Sequence, residues 1–396
     1  MLLLPSYYEF HNPVRIISGK KALDNLPSEL ESLGAKRPLV ITDKGVSNAG
    51  LIKFIIDAFK ESEMTIAAIF DEVPPDSSIK VVNTLAGIFT ANRCDSIVAV
   101  GGGSVIDTAK GVNIVVTEKS DDLMKFIGAE MLKKPMKPLI VIPTTSGTGS
   151  EVTCVAVISD TDRDVKMAFS SNHLMPKVAV LDPRMTLTLP PHITAATAMD
   201  AMTHAVESYI GLQKNPFSDI HAMAAIRMIA ENIITVVKDG KNEQARLAMA
   251  NASCAAGAAF SNSMVGVVHS MGHALGGVCH IPHGVAMSIF LPYGLEYNMH
   301  KVGDAIGEIL LPLAGSEIYA ATPVAERPEK TVAVIRELRD ELYNQAKLPR
   351  TLKEANVSPD KFEKIAQMAI NDGSAIFNPE ELEYEDAIGV LKKAYE

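Results

Sequence analysis

From Leu247 to Leu295 the chain carries no Asp, Glu, Lys or Arg, yet four of its ten histidines, His269, His273, His280 and His283, fall in that stretch. A segment so free of formal charge is expected to be buried, because charged side chains are the ones that stay in water. Imidazoles gathered in a dry interior then need a proton partner or a metal. The run does not read as a membrane span. It is interrupted by Gly257, Gly266, Gly272, Gly276, Gly277 and Pro282 and by Ser, Asn and His, whereas a span needs about 20 consecutive apolar residues. A buried helix pair with a turn is the expected form.

A candidate partner lies upstream, in Thr194-Ala-Ala-Thr-Ala-Met-Asp200-Ala-Met-Thr-His204-Ala-Val-Glu-Ser. A carboxylate and an imidazole four residues apart share one helical face. Asp200 and His204 on one helix, with His269 and His283 on or beside another, make a nitrogen and oxygen ligand set without thiolate. Taken singly, a histidine on an apolar helix is more often a satisfied core residue than a ligand. That alternative must hold here for all four residues at once, with no Lys or Arg close by in the charge-free run. His273, one turn after His269, is expected to face the same cavity without having to be a ligand, and His280 to be a second-tier or loop residue.

At 396 residues the chain exceeds the usual size of one domain, so two lobes are expected. With 47% hydrophobic and 21% charged residues, disorder is not expected to dominate. A formal net charge of -10 argues against nucleic acid or an anionic membrane as partner, since both demand a basic surface. Cys94, Cys154, Cys254 and Cys279 are scattered without a C-x-x-C pair. The pattern suits a reducing cytoplasm better than a disulfide scaffold. The start, Met-Leu-Leu-Leu-Pro-Ser-Tyr-Tyr, has neither the basic flank nor the apolar core of a secretory signal, so export is not expected.

The first half alternates strand-like runs at 38–43, 65–70, 96–100 and 138–143 with helical patterns at 46–62 and 79–92, which predicts an α/β lobe with a parallel sheet. After Pro190-Pro191 helical periodicity takes over, through 194–210, 217–237, 243–271, 301–314, 327–347, 359–373 and 379–395. The expected domains are therefore 1–190, α/β, and 191–396, all helical, with a ligand cleft between them.

Two loops of the first lobe carry binding chemistry. In Val98-Ala-Val-Gly101-Gly102-Gly103-Ser104-Val-Ile-Asp107-Thr-Ala-Lys110 a strand meets a helix through three glycines, so a backbone can approach a diphosphate while Ser104 and the first helical amides donate to its oxygens. The spacing is neither the Rossmann fingerprint nor a Walker loop, and a plain turn is the alternative. Thr144-Thr145-Ser146-Gly147-Thr148-Gly149 offers hydroxyls at the carboxyl edge of the next strand, where ligands of open α/β sheets bind, or simply caps the following segment. Asp43, ending the 38–43 run, can accept from a ribose diol and repel a 2′-phosphate, favouring NAD over NADP; it can equally be an N-cap.

Over essentially its whole length the chain resembles the iron-containing, group III alcohol dehydrogenase family. The matching elements are Gly101-Gly-Gly-Ser-Val-Ile-Asp-Thr-Ala-Lys110, Pro143-Thr-Thr-Ser-Gly-Thr-Gly-Ser-Glu151, Asp200-Ala-Met-Thr-His204 and the block from His269 through His273 to His283-Gly. The resemblance implies a dehydroquinate-synthase-like fold, with an N-terminal dinucleotide-binding lobe and an all-helical C-terminal lobe. It assigns a divalent metal, Fe(II) or in some members Zn(II), to Asp200, His204, His269 and His283. It places NAD against Asp43, Gly102, Gly103, Ser104, Asp107, Thr144, Thr145, Thr148 and Lys166, and His273 near nicotinamide and substrate. It also implies a homodimer or larger homo-oligomer. One departure is Val73-Pro-Pro-Asp-Ser77, where many relatives carry an Asn that meets the cofactor; Pro75 has no amide proton to offer. Val155 and Phe260, at pocket-lining positions of relatives, are apolar here and point to a small substrate without a strongly polar tail.

A divalent ion held by one carboxylate and three neutral imidazoles keeps a net positive charge and can act as a Lewis acid on an alcohol oxygen while hydride leaves for the nicotinamide. The expected activity is NAD(H)-linked oxidation of small primary alcohols or diols and reduction of their aldehydes, with His273 relaying the proton. Imidazole and carboxylate suit both iron and zinc. The rivals are a glycerol-type polyol dehydrogenase and a dehydroquinate-synthase-like lyase on the same scaffold. The lyase needs a basic cluster for a phosphate-bearing substrate, and 247–295 has none. A non-catalytic scaffold would leave the ligand set idle.

Overall fold

The structure, a computed structural model, describes residues 5–120, 122–160 and 165–396. Short Val, Ile and Leu runs bounded by turns form the strands of one unit, Asn12–Thr188. These are β1 (Arg15–Ser18), β2 (Pro38–Ile41), β3 (Ala68–Phe70), β4 (Ser96–Gly101), β5 (Gly128–Ala129), β6 (Leu139–Pro143), β7 (Val155–Asp160), β8 (Val165–Ser170) and β9 (Val178–Leu181). Six make a parallel sheet in the order β1-β9-β6-β4-β2-β3. The helices of this unit are α1 (Leu26–Ser32), α2 (Lys44–Asn48), α3 (Ile52–Phe59), α4 (Ile79–Ala91) and α5 (Gly103–Glu118).

Every residue of β2, β4, β6 and β9 is buried, which is why these strands appear in the sequence as unbroken apolar runs and not as alternation. Leu39, Ile41, Ile97, Ala99 and Val141 face one core with residues of α4 and α5. Val40, Val98, Val100, Ile140 and Val180 face the other with α1 and α3. From β2 the chain steps outward to β3, then returns past β2 to β4 and on to β6 and β9. The strand order therefore reverses between β2 and β4, and the loops that follow those two strands flank the switch point where ligands of such sheets bind.

Local detail departs from the sequence expectation where backbone geometry intervenes. The expected helix 46–62 is two, α2 and α3, because Gly50 takes φ +75 between them. A small second sheet, β5-β8-β7, escaped the pattern, as did the edge strand β1, whose side chains are largely exposed.

The other unit comprises Leu189–Glu396 with the chain up to His11. Its helices are α6 (Pro191–Ile210), α7 (Pro216–Lys238), α8 (Glu243–Ser263), α9 (Val267–Cys279), α10 (His283–Ala314), α11 (Ser316–Ala321), α12 (Arg327–Ala346), α13 (Phe362–Ala369) and α14 (Tyr384–Tyr395). The N-terminal return has a physical cause that no local pattern announces. The side chain of Asn262 pairs with the backbone of His11 like a second peptide, accepting from its N–H at 2.6 Å and donating to its carbonyl at 3.3 Å. Phe10 lies over His221, with ring centroids 5.2 Å apart.

The expected helix 243–271 is likewise two. Met264 at φ 64 and Gly266 at φ -132, ψ -139 end α8 and re-aim the chain into α9. Periodicity marked only 301–314 of α10 because its earlier part, Ala286–Pro292, is buried all round and so shows no polar face. α10 breaks at Val302, at φ -129 and ψ 32. Among the described residues only α7 is long and apolar enough to cross a membrane, and Ala222, Ala225, Ile226, Ile229 and Ile233 along it are spent in the core of this unit.

Candidate active site

In α6 every residue from Ala198 to Ile210 is buried, so polar side chains within that span must be answered by other elements. Asp200, His204 and Glu207 recur at i, i+4 and i+7 on one face. His269, in the first turn of α9, and His283, the first residue of α10, meet that face. One ligand atom each from Asp200, His204, His269 and His283 lies within 4.8 Å of the others. His204 Nδ1 is 3.8 Å and His283 Nε2 3.3 Å from Asp200 Oδ1. Phe260 stacks on the His204 ring at 4.2 Å and holds its plane.

Asp200 Oδ1, His204 Nδ1 and His269 Nε2 are buried without a hydrogen-bond partner. A buried polar atom left so costs about 1–3 kcal/mol, and here three converge, all able to be lone-pair donors. A divalent cation resolves that arrangement, and four nitrogen and oxygen donors suit iron or zinc. The residues fit such an ion. Burial pushes the Asp200 carboxyl up, but His204, His283 and His269 together outweigh it and hold the group below the ordinary carboxylate range. Burial lowers His204 to about 3 and His269 well below the ordinary imidazole range, helped there by His283 and His273. Both rings are therefore neutral at physiological pH.

The expectation that the whole charge-free run is buried needs correction. Val267–Gly272 and Ala286–Pro292 are buried, but His273, His280 and His283 are exposed. His280 follows the end of α9 and His283 opens α10, so a helix end and a connection decide their exposure, whereas His273 lies in the middle of α9 on the face it shares with exposed Gly277. His280 takes φ 56 as the C-cap of α9.

Two carboxylates that the sequence reading did not single out stand beside these histidines. Glu207 Oε2 lies 2.5 Å from His269 Nδ1, while its Oε1 accepts from the Val268 N–H at 2.7 Å. Burial raises this carboxyl to about 7 against the pull of the amides at the start of α9. Asp372 Oδ2 lies 2.9 Å from His273 Nδ1, and its Oδ1 accepts from the Ser374 N–H at 2.8 Å. The His273 ring stacks on His283 at 5.4 Å. Glu207 sits three residues after His204, a spacing that can be noticed; Asp372 is about a hundred residues from His273 and cannot.

In the α/β unit the predicted cofactor residues fall into groups. β4 and β6 pair with Gly101 opposite Pro143, so the glycine turn and the threonine loop leave the same sheet edge. A Cβ on Gly102 would meet Thr145 Oγ1 at 3.3 Å, and one on Gly103 would meet Thr148 Cγ2 at 3.0 Å. Thr144 N–H donates to the Gly101 carbonyl at 3.1 Å. Gly102, Gly103, Thr144, Thr145 and Thr148 are thus brought together. Asp43 follows β2 and is the N-cap of α2, accepting from the Val46 N–H at 2.9 Å. The Ser104 hydroxyl donates to the Pro75 carbonyl, so the 73–77 loop lies against the glycine turn.

Asp107 is turned to internal work: Oδ1 accepts from the Ser150 hydroxyl at 3.0 Å and Oδ2 from the Val157 N–H at 3.0 Å. Lys166, on β8, is exposed and pairs loosely with Asp76 at 3.8 Å. Lys110, at 0% exposure, was not singled out from sequence. Its Nζ donates to the Val155 and Thr153 carbonyls at 2.7 and 2.9 Å and to the hydroxyls of Thr153 and Ser150 at 3.1 and 3.2 Å. It ties the end of the threonine loop to α5.

A parallel sheet with its phosphate-type turn, and a helical unit with a carboxylate and three imidazoles gathered at one point, describe a metal-dependent dehydrogenase. Residues 13–183 match the family described as iron-containing alcohol dehydrogenase, and residues 194–395 match its C-terminal domain. Alcohol dehydrogenase 4 of Saccharomyces cerevisiae is 34% identical over 389 residues, 98% of both chains. The crystal structure of a 1,3-propanediol oxidoreductase superposes with a TM-score of 0.94 at 35% identity, over 98% of this chain and 100% of that one. Sulfoacetaldehyde reductase from Bifidobacterium kashiwanohense, solved with NAD+, superposes with a TM-score of 0.87 at 26% identity, over 98% of this chain and 99% of that one. The chain belongs to the iron-containing alcohol dehydrogenase family and is an oxidoreductase.

Proposed function

We propose that the chain is a metal-dependent, NAD(H)-linked alcohol dehydrogenase that interconverts small primary alcohols or diols with their aldehydes. The observation that carries this reading is the convergence of Asp200, His204, His269 and His283, with three of their atoms buried and unpartnered. Those four residues would hold the divalent cation, Fe(II) by the family's description, with Zn(II) compatible with the same donors. When bound, such a cation supplies a Lewis acid and acidifies a hydroxyl, as it lowers the pKa of water from about 15.7 to about 7.

The chain's own residues do the rest. Asp200 contributes the one negative charge of the set. Burial keeps His204 and His269 unprotonated, so their lone pairs are available. Asp372 orients His273 with Nδ1–H toward the carboxylate, which leaves Nε2 to take or return the proton of the alcohol. Phe260, stacked on His204, is apolar, which favours a small substrate without a polar tail. Gly102, Gly103, Ser104, Thr144, Thr145 and Thr148 would receive the NAD diphosphate, and Asp43 the ribose diol, with NADP disfavoured. Asp107 would act through Ser150 and Val157, and Lys166 at the rim. A relative solved with NAD+ supports the choice of cofactor.

A homodimer or larger assembly and a cytoplasmic site complete the reading. Cys94, Cys154, Cys254 and Cys279 form no disulfide, which suits a reducing compartment. A lyase on the same scaffold is disfavoured by the absence of basic residues from 247–295. The test is an NADH-coupled screen of small alcohols, diols and aldehydes on protein loaded separately with Fe(II) and Zn(II). NAD-dependent turnover with either metal is expected, and its absence with both would sink the proposal.

A further inference from the structure

We propose that Glu207 is the positioning residue of the metal centre, one carboxylate that both caps the N-terminus of α9 and sets which nitrogen of His269 faces Asp200, His204 and His283. The inference rests on the metal-site reading above. A neutral imidazole carries one ring proton. With Nε2 offering its lone pair to the cluster, that proton sits on Nδ1, where Glu207 Oε2, 2.5 Å away, accepts it. Nε2 is the buried atom without a partner that faces the cluster. The other oxygen accepts from the Val268 N–H at 2.7 Å, so the same side chain anchors the backbone one residue before the histidine. Ring orientation and tautomer are thus tied to a single group, itself fixed by the buried helix α6.

The approach is built into the backbone. A Cβ on Gly266 would stand 3.3 Å from Glu207 Oε1 and 2.6 Å from Asn378 Oδ1, so a side chain there would crowd the carboxylate away from the helix start. Asn378 supplies the neighbouring cap, accepting from the Val267 N–H at 3.1 Å. It makes no hydrogen bond to His269. The two caps therefore separate helix anchoring from control of the imidazole.

Glu207→Gln is nearly isosteric but cannot serve both partners. If its carbonyl keeps the Val268 N–H, its amide faces Nδ1 as a donor and drives the proton to Nε2, which then points a hydrogen at the cluster. The test measures Zn(II) affinity by chelator competition, the visible spectrum of the Co(II)-loaded protein, and thermal unfolding of the metal-free protein. These are compared for the parent, Glu207→Gln and Asn378→Ala. Zn(II) affinity is expected to fall about ten- to a hundredfold in Glu207→Gln, as for other groups that orient a metal ligand. Its Co(II) spectrum should change while its metal-free unfolding stays near that of the parent. Asn378→Ala should lower thermal stability and leave Zn(II) affinity within about threefold. Parent-like Zn(II) affinity and Co(II) spectrum in Glu207→Gln overturn the inference alone. So does an equal loss of Zn(II) affinity in Asn378→Ala, since helix capping would then account for it. A parent protein that binds no Zn(II) overturns the metal-site reading and this inference with it.

Discussion

A Cβ built on Gly284 would stand 2.3 Å from the carbonyl oxygen of Ala196. The first turn of α10 therefore rests on the backbone of α6, four residues before Asp200. Its neighbour His283 reaches Asp200 Oδ1 at 3.3 Å from this contact. Backbone cannot rotate out of the way as a side chain can, so Gly284→Ala must lift the start of α10 and carry His283 outward. Overpacking of this kind costs about 1–3 kcal/mol. Zn(II) affinity is expected to fall about tenfold or more, the range seen when a ligand's orientation is disturbed. A chelator titration returning the parent affinity would refute the link between this contact and the metal centre.

His204 makes the metal-free protein sensitive to acid. Its folded pKa, about 3, lies below the ordinary 6.5 because burial disfavours the charged ring. Between those values the unfolded chain binds the proton and the folded one does not. Stability from this group is thus complete above about pH 6.5 and declines as pH falls toward 3. At pH 5 the loss is about 2 kcal/mol. Urea unfolding at pH 7 and pH 5 should show His204→Asn losing less stability than the parent over that interval. An equal loss in both proteins would contradict the assignment.

Lys110 is buried among four oxygen acceptors. Lys110→Met keeps the apolar stem but leaves those acceptors short of a donor and takes away the positive charge that favours ionised Asp107 and Glu151. Breaking a buried charged network from one side costs about 3–5 kcal/mol. The loss should appear in the urea midpoint, accompanied by weaker NAD binding because the threonine loop loses its tie to α5. Parent-like stability would mean that the network relaxes around the vacancy.

His273→Ala tests the proton relay. Asp372 holds the ring through Nδ1 at 2.9 Å, so the variant should lower kcat about a hundredfold, the usual worth of a positioned acid-base group. Asp372→Asn, which loosens the hold on the ring, should lower it less. An unchanged rate in His273→Ala would exclude the relay.

Much of the candidate site was legible in the sequence. Asp200 and His204 stand four apart, and helical geometry alone puts them on one face. The alternation of buried strands with helices named the α/β unit because strands covered on both faces must be apolar throughout. Breaks were less legible: Gly50 and Met264 end helices through positive φ angles where periodicity runs on. The exposed strand β1 and the hairpin of β7 and β8 show too little apolar contrast to mark themselves.

Ligand types, their local spacing and the unbroken apolar strands are properties of neighbours along the chain, and the sequence by itself determined them. Which nitrogen of His269 faces the cluster, that Asp372 holds His273, that Asp107 serves Ser150 and Val157, and that His11 returns to Asn262 depend on atoms up to about 250 residues apart. Only the tertiary structure decided these. Hydrogen bonds act over about 3 Å, and no periodicity in a chain records which distant residues packing will bring within that reach.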